Sequence, residues 1–292
     1  MINFIKERLE KKMIRRKNGL LRLTLVTASI LCLSGCGTKT QNGLSGEIQM
    51  AGSTSMEDMC VAVSEQFMEK EKGITVSAEY IGSSAGIEAL LSGSADIGTS
   101  SRNLTDEEKN AGAVENIVAK DGIAVVLNPS VTGVENLDFE DLKNLFCGKV
   151  TNWSELGGPD MPVVIVGHEA GSGTRDPFEE ILDIKDKCVY ANELSGSGAV
   201  LIKVAETEGA VGYMSLALVD DTVKSVSVNE IPPTRENIQN GTYPLNKTMV
   251  MATKGKIEEQ NEMVQALFDF VYSEEGQKLI DGVNLIPISR NK

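Results

Sequence analysis

Gly171-Ser172-Gly173-Thr174-Arg175 is the stretch on which the reading of this chain turns. The apolar run Val163, Val164, Ile165 and Val166 precedes it, and Phe178, Ile181 and Leu182 follow at helical spacing. That order predicts a strand, a tight glycine turn and a helix. A helix start leaves four backbone N–H groups without intrahelical partners and carries about half a positive charge. Glycines let the backbone approach a ligand closely, and Ser172 and Thr174 add hydroxyls. Such a corner suits a small tetrahedral anion. Taken alone it is equally a capped helix, because Ser and Thr are common N-caps.

Three further stretches repeat the pattern. Gly52-Ser53-Thr54-Ser55 follows an apolar segment and precedes Met56, Met59, Cys60, Val63 and Phe67 on one helical face. Gly82-Ser83-Ser84-Ala85-Gly86 follows the alternation Ile74, Val76, Ala78, Tyr80 and precedes Ile87, Leu90 and Leu91. Asp96-Ile97-Gly98-Thr99-Ser100-Ser101-Arg102 comes soon after. Four such turns at strand ends are more than capping requires.

The N-terminus reads as an export segment. Lys11, Lys12, Arg15, Arg16, Lys17 and Arg22 precede an apolar run from Leu23 to Leu33, too short to span a bilayer as a mature helix. It ends in Leu33-Ser34-Gly35-Cys36, which resembles the lipobox of bacterial lipoproteins. That resemblance implies cleavage before Cys36 and lipid attachment to its thiol. Residues 1–35 hold eight Lys/Arg and two acids, so their removal takes the formal net charge from −14 to −20. A body this acidic argues against nucleic acid and against broad contact with anionic lipid. It also opposes an anion at long range, but salt screens that field beyond roughly 8–10 Å, so a local nest of donors can still win.

Glycine-bearing residues 36–45 form a lipidated tether. The remaining body is about the length of two lobes. Strands and helices alternate from Ile48 to Ile117, and Ile123 to Leu127 reads as a buried strand. A second α/β series follows. It includes a helix over Asp138–Phe146, a turn at Trp153–Leu156, a helix start at Ser195-Gly196-Ser197-Gly198 and a strand at Val211–Met214. Thr248–Met251 is a further strand, and Met263, Leu267, Phe270 and Val271 mark a last helix. The simplest arrangement has two crossing segments, near 123–127 and 244–251, with lobe 1 formed by 46–124 plus 249–292 and lobe 2 by 125–248.

Together these turns resemble the phosphate-binding proteins of bacterial phosphate ABC importers, in their short lipoprotein form. Gly212-Tyr213-Met214-Ser215-Leu216 and Gly241-Thr242-Tyr243-Pro244-Leu245 extend the likeness, in the family's order, across most of residues 48–285. The resemblance implies an α/β fold, a two-lobed periplasmic-binding-protein-like (type II) clamshell with two hinge crossings. It implies a monomeric carrier on the outer face of the cytoplasmic membrane. Its partners would be inorganic phosphate and permease subunits served by a cytoplasmic ATPase. Carried over by position, Ser53, Thr54, Ser55, Ser83, Ser84, Ser101, Ser172, Gly173 and Thr174 are the phosphate-binding candidates.

Two positions depart from longer relatives. Ser101 stands where many of them carry an acid that accepts the phosphate proton, and His168, the sole histidine, stands where they carry an arginine. Arg102 and Arg175 are the candidate counter-charges, because charge-assisted bonds are about twice as strong as neutral ones. Arg175 equally suits a surface pair with Asp176 or Glu179, and His168 equally suits a hydrogen-bonded residue that lines the cleft without touching ligand. Selection against sulfate needs an acceptor facing the ligand's proton. The Ser101 hydroxyl and the Asp96 carboxylate are candidates, although Asp96 in Asp-Ile-Gly also suits a structural turn.

Enzyme chemistry finds little support. Gly82-Ser83-Ser84-Ala85-Gly86 fits the G-x-S-x-G spacing, but a serine nucleophile needs a base within reach and His168 is the sole histidine; Gly148-Lys149 is followed by Val150, which excludes a Walker loop. No CxxC pair or His/Cys cluster suggests a metal, and no cofactor is expected. Cys60 reads as helix core, and a Cys147–Cys188 disulfide stays open. Other readings are a carrier of another oxyanion, such as sulfate or molybdate, and a sensing or adhesion protein on the same fold.

Overall fold

The computed structural model describes residues 43–290. The export segment 1–35, Cys36 and the tether up to residue 42 lie outside the described residues. From the first strand the order is β1 Gly46–Gly52, α1 Glu57–Lys70, β2 Ile74–Tyr80, α2 Ser83–Ser92, β3 Ile97–Ser100, α3 Asp106–Asn110, β4 Ala113–Val114 and β5 Ile117–Leu127. Then come β6 Asn136–Leu137, α4 Phe139–Phe146, β7 Val164–His168, α5 Arg175–Ile181, β8 Asn192–Leu194, α6 Ser197–Glu206 and β9 Ala210–Ser215. The chain closes with β10 Lys224–Ser225, β11 Ser227–Val228, α7 Arg235–Gln239, β12 Asn246–Lys254, α8 Glu262–Val271, α9 Glu274–Gly282 and β13 Ile286–Pro287.

One sheet runs through both lobes in the order β2-β1-β3-β12-β5-β9-β7-β8. Its two flanks are parallel: β1 pairs with β2 and β3, and β7 pairs with β8 and β9. The middle is antiparallel, because β12 pairs with β3 and β5, and β5 pairs with β9. The strand β5 belongs to both halves. Its Ile117 to Gly122 face β12, and its Ile123 to Leu127 face β9. The sequence places a buried strand only at the latter five residues; pairing with β12 extends it backwards by six.

The two largest hydrophobic cores lie mainly on either side of this division, with Ile286 of β13 joining the second. In the first, Met59, Cys60, Val63 and Phe67 of α1 pack with Ile48 and Met50 of β1 and with Val264, Leu267 and Phe268 of α8. Those spacings are the one-face helical pattern visible in the sequence. In the second, Leu142, Leu145 and Phe146 of α4 pack with Trp153, Phe178, Tyr213 and Tyr243. The Asp138/Asp141 capping box starts α4, and the Phe178 and Tyr213 rings stack at 3.8 Å. Ile123 of β5 already belongs to the second core, whereas Val118 and Ala119 belong to the first. Cys60, Cys147 and Cys188 are free thiols, with Cys60 buried in the first core.

Candidate anion site between the lobes

The strand ends bring four helix or turn starts to one place. Thr54–Met56 forms a 3-10 turn leading into α1, Ser83 opens α2, Thr174 precedes α5 and Ser197 opens α6. Ser55 Oγ lies 3.2 Å from Thr174 Oγ1 and 3.3 Å from Ser197 Oγ, so hydroxyls from sequence positions far apart touch. Lys247 Nζ donates to Thr174 Oγ1 at 2.7 Å and to Ser55 Oγ at 3.3 Å. Asp121 Oδ2 lies 3.6 Å from the same ammonium and accepts from Ser215 Oγ. All six residues are buried.

A second contact adjoins the first. Ser101 N donates to Ser83 Oγ at 3.1 Å. Gly173 packs against this pair so closely that a Cβ there would lie 2.2 Å from Ser83 Oγ and 2.6 Å from Ser101 Oγ. Gly171, at φ 83°, offers its carbonyl to Ser84 N at 3.1 Å, and Gly196 packs directly on Thr54. The glycines of these turns thus serve lobe-to-lobe approach as much as ligand approach. The buried backbone N–H of Ser53 is bound to Thr99 O and Oγ1.

The remaining candidates sit elsewhere or are otherwise engaged. Ser172 Oγ accepts from the N–H groups of Thr174 and Arg175, so it braces the turn. Arg175 pairs with acids, as the alternative had it, but in a largely buried position rather than at the surface. Its guanidinium contacts Glu179 at 2.7 Å and Glu193 at 2.6 Å and lies over the Tyr190 ring. Arg102 forms a two-pronged pair with Glu108 at 2.7 and 2.8 Å and donates to Ser84 Oγ at 3.0 Å. Its Nε is 2.9 Å from Asp176 Oδ2, an ion-pair contact off the line of a hydrogen bond, which ties the lobes at the flank of the cluster. Asp96 accepts from Gln49 N at 2.8 Å and fixes the β1–β3 corner. His168 is fully buried, with Nε2 donating to Tyr213 O at 3.0 Å and its own carbonyl accepting from Arg175. Burial pushes the imidazole down to about 3, so the ring is neutral near neutral pH.

Lys247, Asp121, Ser197 and Ser215 are the members of the cluster that sequence reasoning missed. A signal existed for the lysine. Leu245 just before β12, and Lys247, Met249 and Met251 within it, alternate onto one buried side, so one charged residue stands in an inward-facing row. What the cluster offers chemically is one ammonium, three convergent hydroxyls and the starts of helices, a donor set whose charge and geometry suit a small oxyanion.

This architecture is that of a two-lobed binding protein, and a family model described as the PBP superfamily domain matches residues 37–275. The phosphate-binding protein PstS of Bacillus subtilis is 30% identical over 95% of this chain and 96% of its own length. A crystal structure of a putative phosphate ABC transporter substrate-binding protein with bound phosphate from Clostridium perfringens is 37% identical. It covers 84% of this chain and 100% of that one, with a TM-score of 0.79. An ABC-type phosphate transport receptor from Vibrio cholerae is 30% identical over 82% of this chain and 100% of its own, with a TM-score of 0.71. The chain belongs to the PBP superfamily and, within it, to the PstS family.

Proposed function

We propose that this chain captures inorganic phosphate between its lobes and delivers it to the permease subunits of an ABC importer driven by a cytoplasmic ATPase. The observation that carries the reading is the buried meeting of Ser55, Thr174 and Ser197 hydroxyls with the Lys247 ammonium at the starts of several helices. Phosphate would take the place of the hydroxyl-to-hydroxyl contacts, with Ser83, Ser101, Gly173, Thr54 and Ser53 closing round it. Ser84 and Arg102 would hold the lobes together, while Ser172, Arg175, His168 and Asp96 frame the turns. The names of the relatives support phosphate as the solute.

The lobes are assigned as 46–124 plus 249–292 and 125–248; most residues of the two cores support this division, while Ile123 and Ile286 pack with the second. The strands β5 and β12 would bend as the lobes part and close. Lipid on Cys36 would hold a monomeric carrier at the outer face of the cytoplasmic membrane, and no enzymatic step is assigned. Calorimetric titration of the purified protein with phosphate, sulfate and molybdate tests the reading. Saturable heat with phosphate in preference to the other two is expected, and no binding of phosphate rejects it. Retention of the protein in the detergent phase, lost in Cys36→Ser, tests the anchor.

A further inference from the structure

Lys247 and Asp121 face each other across the β5–β12 ladder as directly paired residues, with side chains 0% and 2% exposed. The carboxylate is pinned by Gly122 N at 2.8 Å through Oδ1 and by Ser215 through Oδ2. The ammonium 3.6 Å away donates to Thr174 and Ser55. The other ionisable groups round the pair supply no free charge. His168 on β7 is neutral, Arg175 on α5 is paired with Glu179 and Glu193, and Arg102 is paired with Glu108 and Asp176. Lys247 is therefore the cation that the hydroxyl cluster contains among the described residues.

Burial works against that cation. Loss of water pushes the Lys247 ammonium down to about 8, and Asp121 is the group that opposes the fall. Burial in turn raises Asp121, against Lys247, Ser215 and backbone N–H groups that favour its ionised form. We propose that Asp121 is a positioning residue for the anion site, holding Lys247 protonated and aimed at Thr174 and Ser55. This rests on phosphate as the ligand. Its consequence is specific to pH. Without the carboxylate the lysine loses its proton within the neutral range, and the site goes with it. A site whose competent form is one-tenth populated binds about tenfold more weakly.

The experiment is phosphate titration of wild type, Asp121→Asn and Asp121→Asn/Lys247→Arg from about pH 6 to about pH 9, comparing proteins at each pH so that the ligand's own ionisation cancels. The asparagine keeps the shape and the bond from Gly122 N, with Ser215 Oγ turning to accept from its amide nitrogen, and arginine stays charged throughout. Expected is a wild-type affinity that holds to about pH 8. Asp121→Asn should match it most nearly at the acid end and fall at least about tenfold behind by pH 8, and the arginine double variant should lose that pH dependence. Parallel profiles for wild type and Asp121→Asn overturn the proposal, as does a variant that binds more tightly at every pH. Should Asp121→Asn not fold, Asp121→Glu keeps the charge and displaces it. A loss of affinity, or a profile that falls at lower pH than wild type, supports the role, and an unchanged profile refutes it. NMR titration of the Lys247 side chain reads the same quantity without ligand. If wild type binds no phosphate at any pH, the functional reading fails, while a Lys247 titration unmoved by Asp121→Asn sinks the present inference separately.

Discussion

Gly173→Ala separates ligand capture from folding. A Cβ at this position would lie 2.2 Å from Ser83 Oγ, 2.6 Å from Ser101 Oγ and 3.0 Å from Ser101 N. Hydroxyls can rotate aside, but Ser83 Oγ already accepts from Ser101 N, so its movement breaks that bond, and the backbone nitrogen cannot rotate away. Over-packing of this kind costs about 1–3 kcal/mol. Gly173 is not among the positive-φ glycines, so alanine adds no backbone strain of its own. The clash lies wholly between lobes, and no residue of either hydrophobic core is touched. The cost therefore falls on the closed form and weakens phosphate binding about 5- to 150-fold, with 1.4 kcal/mol per factor of ten. The assay is calorimetry with phosphate, paired with thermal unfolding of ligand-free protein, in which parted lobes would leave the methyl in water. Unchanged affinity refutes the reasoning. So does a fall in unfolding temperature large enough to account for the binding loss.

Three other outcomes are expected. Thr174→Ala removes a hydroxyl bonded to Lys247 and should weaken phosphate binding about tenfold or more, whereas Ser172→Ala, which loses only turn-bracing bonds, should cost less; calorimetry of each single variant checks the order. Lys247→Met leaves Asp121 buried and unpaired. A stability loss of about 3–5 kcal/mol is expected in denaturant unfolding, and Asp121→Asn/Lys247→Met should recover stability but not phosphate binding. His168 titrates near 6.5 when unfolded and near 3 when folded, so the unfolded state binds the extra proton between those values and stability falls as pH drops through them. Melting temperatures of wild type and His168→Gln from neutral to acid pH should converge toward the acid end, and parallel curves would contradict the assignment.

The glycine turns were legible because each has a local signature, an apolar strand before and a helical stripe after. Their convergence was not, since it depends on which strand ends meet, and Ser55, Thr174 and Ser197 meet only through the sheet order. The arginines misled for a related reason. Arg175 stands within the key motif, but its long side chain reaches Glu179 and Glu193, away from the hydroxyls. Charge at the cluster comes instead from Lys247, which sits in no glycine turn and is disclosed only by the inward row of β12. Asp121 illustrates the same limit. It lies just before Ile123–Leu127, the stretch that reads as a buried strand, yet it sits within one unbroken strand and is the cross-strand partner of the lysine.

The joint between the lobes is itself a hydrogen-bonded ladder. The strand β5 passes without interruption from one half to the other, and its pairing with β12 shifts register between Met249 and Val250. A loop would swivel freely; a laddered ribbon must flex elastically, sharing a small twist among many peptide units. Parting the halves would then bend this ribbon as a whole, with the register shift lying inside the stretch that bends. Amide deuterium uptake along this ribbon should accordingly stay slow even while the cleft breathes.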